Sequence, residues 1–246
     1  MSNVMIFTDR AGFVQGAADF VVEMMEKAVA ENGRFTLALA GGGTPRPIYA
    51  LLGTAVYANR IPWDKVHIFF GDERCVPPDD ARSNFRMAQE ALFDLVPLPA
   101  SNIYRIHGEE NPAQAALAYE QAIQRFFRSA TPPPFDLICL GMGENGHTAS
   151  LFPGTAVLRE NKRWVVPQYV ETMSSWRVTF TRPLINAAQN VAFLVEGSGK
   201  AEMVWRVLKG PYEPDVLPAQ FIQPQDGRLY WLLDAAAGAK IQQEGA

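Results

Sequence analysis

His147 follows Gly141, Gly143 and Gly146, directly after the apolar run FDLICL. That order puts an imidazole, the side chain best suited to accept a proton near neutral pH, at the mouth of a binding site. The run 135–140 has the length and apolar content of a buried parallel strand, and open α/β sheets bind ligands at the carboxyl ends of such strands. The glycines allow positive φ and close approach of backbone to a ligand. Residues 148–152 are expected to wind a short helix that Pro153-Gly154 ends, and its N-terminus would favour an anion or a developing oxyanion.

Three further segments carry chemistry. In AGGGTPRPIY, 40–49, Gly41, Gly42 and Gly43 expose backbone N–H groups, Thr44 suits a helix N-cap and Pro45 a first helical position. The segment reads as an anion nest that could cradle phosphate, or as an ordinary tight turn; no Lys follows in the register of a Walker loop. In GDER, Asp72, Glu73 and Arg74 leave an apolar strand together, which is costly unless they face a cleft or pair with one another. Arg74 can grip a phosphate or carboxylate, or stabilise an oxyanion, and Asp72 can orient a base or bind hydroxyls. A solvated loop with a local ion pair is the competing reading, and Arg82 and Arg86 read as residues of an exposed helix. Arg177, in WRVTFT, and Lys200, in a second glycine turn after an apolar strand, add two cations suited to a doubly charged phosphate.

The elements that must position these residues follow from periodicity. Strands are expected at 35–40, 66–70, 102–106, 135–140, 191–196 and 229–234, and helices at 13–29, 45–52, 84–95, 112–129 and 199–209. Such alternation implies right-handed crossovers and a mostly parallel, doubly wound α/β sheet with helices on both faces. Residues 163–181 lack an intervening helix and read as an added hairpin or lobe. With 246 residues, 48% of them hydrophobic, the chain is expected to form one domain over 1–246 around a single core. A net charge of −4 argues against nucleic acid or an anionic membrane surface as partner. The opening MSNVMIFTDR has no apolar signal core and no run approaches membrane-spanning length, so a cytoplasmic location is expected. Cys75 and Cys139 are too few for a disulfide framework.

As a set, GGGTP, GDER with Ser83-Asn84, GHTASLFPG, RVTFT and GSGKA resemble the 6-phosphogluconolactonase family, within the glucosamine-6-phosphate deaminase superfamily. These motifs run from 40 to 201 in the family's order. The resemblance implies a Rossmann-like fold and hydrolysis of 6-phospho-D-glucono-1,5-lactone, a step of the oxidative pentose phosphate pathway, with a small sugar phosphate as the partner and no cofactor or metal. It implies His147 as general base, Asp72 and Arg74 at the reacting end, and a substrate-binding set of Gly41, Gly42, Gly43, Thr44, Asn145, Gly146, Arg177 and Lys200. Asn145 stands where many members have Asp. A monomer is compatible with all of this.

Rival readings rest on single features. Gly141, Gly143 and Gly146 satisfy GxGxxG, but Pro153-Gly154 truncates the helix a dinucleotide site needs. Cys75 with His147 raises a cysteine hydrolase, in which the neighbouring Arg74 would lower the thiol pKa. His67, His107 and His147 lack metal-site spacing. A sugar-phosphate deaminase or isomerase fits less well with TASLFPG after His147. A non-catalytic sugar-phosphate sensor would normally bring a helix-turn-helix segment that is absent from the pattern.

Overall fold

The computed structural model describes residues 3–243. Six parallel strands form the main sheet: β1 (Asn3–Phe7), β2 (Phe35–Leu39), β3 (Val66–Phe70), β5 (Leu137–Leu140), β8 (Asn190–Val195) and β9 (Arg228–Asp234). Their spatial order is β1-β9-β8-β5-β2-β3. From β2 the chain adds β3 on one side, then returns to lay down β5, β8 and β9 on the other, so the winding reverses between β2 and β5. The carboxyl ends there open a crevice, the usual ligand position in such sheets. A second, antiparallel sheet of order β4-β7-β6 is built from β4 (Asp72–Arg74), β6 (Val165–Val170) and β7 (Ser175–Phe180).

Helices around the sheet close where their caps dictate. In α1 (Arg10–Asn32) the Asp9 carboxylate accepts from Gly12 N at 2.7 Å, and Gly33 ends the helix at φ +72°, a left-handed conformation that glycine adopts without strain. The others are α2 (Pro45–Leu52), α3 (Ala55–Ala58), α4 (Asn84–Ala91), α5 (Pro112–Phe127), α6 (Arg182–Asn186), α7 (Ala201–Lys209) and α8 (Ala235–Gln243). The buried Glu120 of α5 accepts from Trp164 N at 2.7 Å, Val165 N at 3.0 Å and Arg163 Nε at 2.9 Å, which fastens the helix to β6.

Several expectations need correction. Residues 102–106 form no strand: only Ile103 bridges Ile68, with Tyr104 N donating to Ile68 O at 2.8 Å. Residues 148–152 form no helix, because Ala149 turns left-handed at φ +46° and Thr148 bridges Leu151. Asp72, Glu73 and Arg74 are not the end of β3; they belong to β4, where they pair with Thr179, Val178 and Arg177. The hairpin expected at 163–181 is present as β6 and β7. Strand β1 and helix α8 were not anticipated.

Phe135 joins the two sheets. It is fully buried, with ring centroids 5.1 Å from Phe69 of β3, 4.8 Å from Phe127 of α5 and 5.6 Å from Phe180 of β7. Phe135→Ala should therefore cost ~3–5 kcal/mol in equilibrium urea unfolding. A loss below ~1 kcal/mol would show that this contact does not couple the sheets.

Candidate functional site

The loops after β2, β3, β5 and β8 enclose a cleft of about 250 Å³. Gly41, Gly42, Gly43, Thr44, Asp72, Arg74, His147, Arg177 and Lys200 all line it. Asn145 and Gly146 do not. A Cβ on Gly146, which stands at φ +77°, would meet Leu217 and Met203, and Asn145 reaches the cleft through its contact with His147.

The loop after β5 is folded tightly around the imidazole. Gly143 N donates to His147 O at 2.8 Å, and Thr148 Oγ1 to Gly141 O at 2.8 Å. A Cβ on Gly143 would lie 2.1 Å from His147 Nδ1, so only glycine leaves room for the ring. Phe152 stacks on the other side, centroids 4.1 Å apart. Asn145 Oδ1 lies 2.6 Å from His147 Nδ1 and also accepts from the His147 backbone N at 3.3 Å. The backbone donor identifies this atom as the oxygen, so Nδ1 must carry the ring proton and Nε2 keeps its lone pair. A side-chain amide thus does the orienting that a carboxylate would do, without adding charge.

Left-handed Ala149 turns the chain back so that Ser150, fully buried, donates from Oγ to Asp72 Oδ2 at 2.7 Å. Asn84 Nδ2 donates to Asp72 O at 2.8 Å and to Asp72 Oδ1 at 3.3 Å. Both carboxylate oxygens are therefore held. Alternation along β4 separates the three charges: Asp72 and Arg74 face the cleft, and Glu73 faces α4. Glu73 is buried and accepts from Asn84 N and Phe85 N, both at 2.8 Å, and from Ser83 Oγ at 3.0 Å. It caps a helix from a distant strand. Burial pushes its pKa up while these bonds oppose the shift.

Arg74 and Arg177 sit directly opposite each other in the β4–β7 ladder. Arg74 Nη1 donates to Arg82 O, and Arg177 Nη2 lies 3.1 Å from Met173 Sδ. The Nε atom of each is buried with no hydrogen-bond partner. Burial, then Arg74, pull the Arg177 pKa down, against Asp72 and Glu73. The two guanidinium groups stand side by side, and a buried donor left unpaired costs ~1–3 kcal/mol.

The GGGTP turn is anchored by Tyr49, whose hydroxyl accepts from Ala40 N at 3.1 Å and donates to Ala40 O at 3.0 Å. Thr44 is already helical, at φ −62°, and its side chain makes no cap bond, contrary to expectation. Pro45 and Pro47 carry no N–H, so the donors of this helix start are confined to the glycines, Thr44 and Arg46. Lys200 closes a short 3₁₀ turn, Ser198–Lys200, that leads into α7. Arg82 and Arg86 are spent elsewhere, on Asp80 at 2.8 Å and Glu90 at 2.7 Å, and only Arg86 is helical.

Burial pushes the His147 pKa down to about 4; Asp72 opposes this, and Lys200 and Arg177 add to it. Burial and Glu73 push the Cys75 thiol up to about 11 despite Arg177, which removes the reactive thiolate a cysteine hydrolase needs. The GxGxxG reading fails on geometry, since the His147 ring fills the space beside Gly143 and no helix follows. Among the described residues no three His, Cys, Asp or Glu side chains are grouped to hold a metal ion. Phe152, Met173 and Glu196 were missed as cleft residues, and Ser150 as the residue that holds Asp72. Ser150 alone had a signal, its place three residues after His147.

The sequence model of the family described as glucosamine-6-phosphate isomerases/6-phosphogluconolactonase matches residues 8–231. The chain belongs to this family. It is 42% identical to the 6-phosphogluconolactonase of Nostoc sp. over 241 residues, 97% of this chain and 98% of that one. A solved 6-phosphogluconolactonase from Thermotoga maritima superposes with a TM-score of 0.81 at 29% identity, covering 95% of this chain and all of that one. A monomeric glucosamine-6-phosphate deaminase, 22% identical with a TM-score of 0.80 over 96% and 99% of the two chains, shares the fold.

Proposed function

We propose that the cleft hydrolyses 6-phospho-D-glucono-1,5-lactone to 6-phospho-D-gluconate, with His147 as general base. Similarity over nearly the full length of named 6-phosphogluconolactonases supports the reaction class, a lactone hydrolase acting on a sugar phosphate. The observation that carries the assignment of roles is the pairing of a neutral imidazole, Nδ1 committed to Asn145, with three cations lining the same cleft.

A lactone is an activated ester, so the protein must deprotonate water, stabilise the tetrahedral oxyanion and hold C1 in place. His147 Nε2 takes a proton as water attacks C1. Arg74 stabilises the oxyanion that forms. On collapse the C1–ring-oxygen bond breaks, and the imidazolium returns its proton to the departing oxygen. Asp72, fixed by Ser150 and Asn84, favours the transient imidazolium by its charge. Arg177, Lys200 and the N–H groups of the GGGTP turn hold the phosphate. No covalent enzyme intermediate is required.

His147→Ala should lower kcat by ~10²- to 10⁴-fold in continuous titration of released acid, corrected for spontaneous hydrolysis, while 6-phosphogluconate binding persists. Near-wild-type turnover by the folded variant refutes the base assignment. Glucosamine 6-phosphate assayed in parallel for ammonia release should give none.

The phosphate contacts are tested by selectivity. Arg177→Ala or Lys200→Ala should each reduce kcat/KM for the phosphorylated lactone about ten- to a hundredfold, the loss of one charge-assisted contact of ~1.5–3 kcal/mol. The lower kcat/KM for unphosphorylated glucono-1,5-lactone should change little. Equal losses on both substrates would show these cations to be structural.

A further inference from the structure

The tip of the β6–β7 hairpin contributes to the cleft wall through one side chain, Met173. A 3₁₀ turn, Glu171–Met173, is closed by Ser174 at φ +45°, and this leaves Met173 51% exposed. It is the most exposed methionine among the described residues: Met5 follows at 39%, and Met25, Met142 and Met203 are buried. Its Sδ lies 3.1 Å from Arg177 Nη2, while Arg177 Nε has no partner. A thioether is a weak acceptor, so this contact orients the guanidinium without satisfying it.

We propose that Met173 is an oxidation site through which peroxide-class oxidants weaken binding of the phosphorylated substrate. The inference rests on Arg177 as a phosphate ligand. In the step, a sulfur lone pair attacks one oxygen of hydrogen peroxide, the S–O bond forms as the O–O bond breaks, and the other oxygen leaves as water after proton transfer. Sulfur loses two electrons and the peroxide gains them. The flexible apolar side chain becomes a polar sulfoxide, reversible by methionine sulfoxide reductases. Its oxygen is a strong acceptor beside the N–H groups of Arg177, where it competes with phosphate oxygens for the same donors. His147 and Asp72, outside this contact, keep their chemistry.

The cysteines compete poorly for the oxidant. Burial pushes Cys75 up to about 11 and Cys139 up to about 12, so both stay protonated near neutral pH, and peroxide reacts with thiolates.

The test treats the full chain with graded hydrogen peroxide, maps methionine sulfoxide by peptide mass spectrometry, and measures KM and kcat for both lactones. Wild type, Met173→Leu and Arg177→Ala are each compared with their own untreated samples. Conversion at Met173 should raise KM for the phosphorylated lactone by about three- to tenfold, part of the cost of losing a contact to a charged group. Kinetics on the unphosphorylated lactone should stay constant, reductase treatment should restore KM, and Met173→Leu should not respond to a dose that still oxidises Met5. The proposal is overturned if KM is unchanged after full conversion at Met173, if Met173 stays reduced at doses that oxidise Met5, or if Met173→Leu responds like wild type. Untreated Arg177→Ala separates the two readings. An unchanged KM there refutes the phosphate role of Arg177, whereas a raised KM with a silent Met173 oxidation refutes only the switch.

Discussion

Two arginines held side by side next to the Asp72 carboxylate are the constraint around which the cleft is organised. Arg74 and Arg177 repel each other across one rung of the β4–β7 ladder, each with a buried Nε that nothing accepts from, and Lys200 lines the same cleft. Repulsion of this kind in a partly desolvated site persists only where the fold enforces it. Here β4 is pinned from behind, because Glu73 is locked into the start of α4 and Asp72 is held by Ser150 and Asn84. On the proposed reading, a dianionic phosphate relieves this repulsion and accepts from the unpaired Nε donors.

The same charges govern the base. Burial, Lys200 and Arg177 hold His147 neutral in the empty cleft, and only Asp72 pulls the other way. A base with so low a pKa is always in its acceptor form but has little appetite for a proton. On the proposed reading, phosphate neutralises the two cations that add to that depression, so substrate binding moves His147 toward the range where a base works best. Anchor and base are therefore linked electrostatically, although they stand on different loops. Asn145 contributes by what it lacks: an amide fixes the tautomer without adding a charge that would raise the pKa in the empty state.

Much of this was legible in the residues, for physical reasons that also explain the gaps. The strands β2, β3, β5, β8 and β9 are buried on both faces and read as continuous apolar runs, and the loops that follow them carried the glycines, Asp72, Arg74, His147 and Lys200 into one cleft. Strand β1 was missed because it is an edge strand with Val4 and Met5 exposed, held by its register with β9 rather than by a pattern of its own. Helix α8, AAAGAKIQQ, opens on a run of alanines with no apolar periodicity. The helix expected after His147 failed through a single backbone choice: Ala149 takes a left-handed conformation that costs ~1–2 kcal/mol for an L-residue, and that brings Ser150 to Asp72. Glu73 was read only as one of three adjacent charges, because strand alternation was not visible in a three-residue segment. Met173 had no signal at all, since its place depends on how a hairpin tip folds over a cleft formed by other strands.

The central claim is that burial, with the cleft's cations adding to it, holds His147 neutral, and that bound phosphate raises its pKa by offsetting those cations. The direct measurement is NMR titration of the His147 ring, assigned by comparison with His147→Ala among only three histidines, in free protein and with saturating 6-phosphogluconate. The account predicts a midpoint near 4 in the free protein and a clearly higher one in the complex. A free-protein midpoint at the unperturbed value of about 6.5, or one that does not rise when the phosphate is bound, would contradict it.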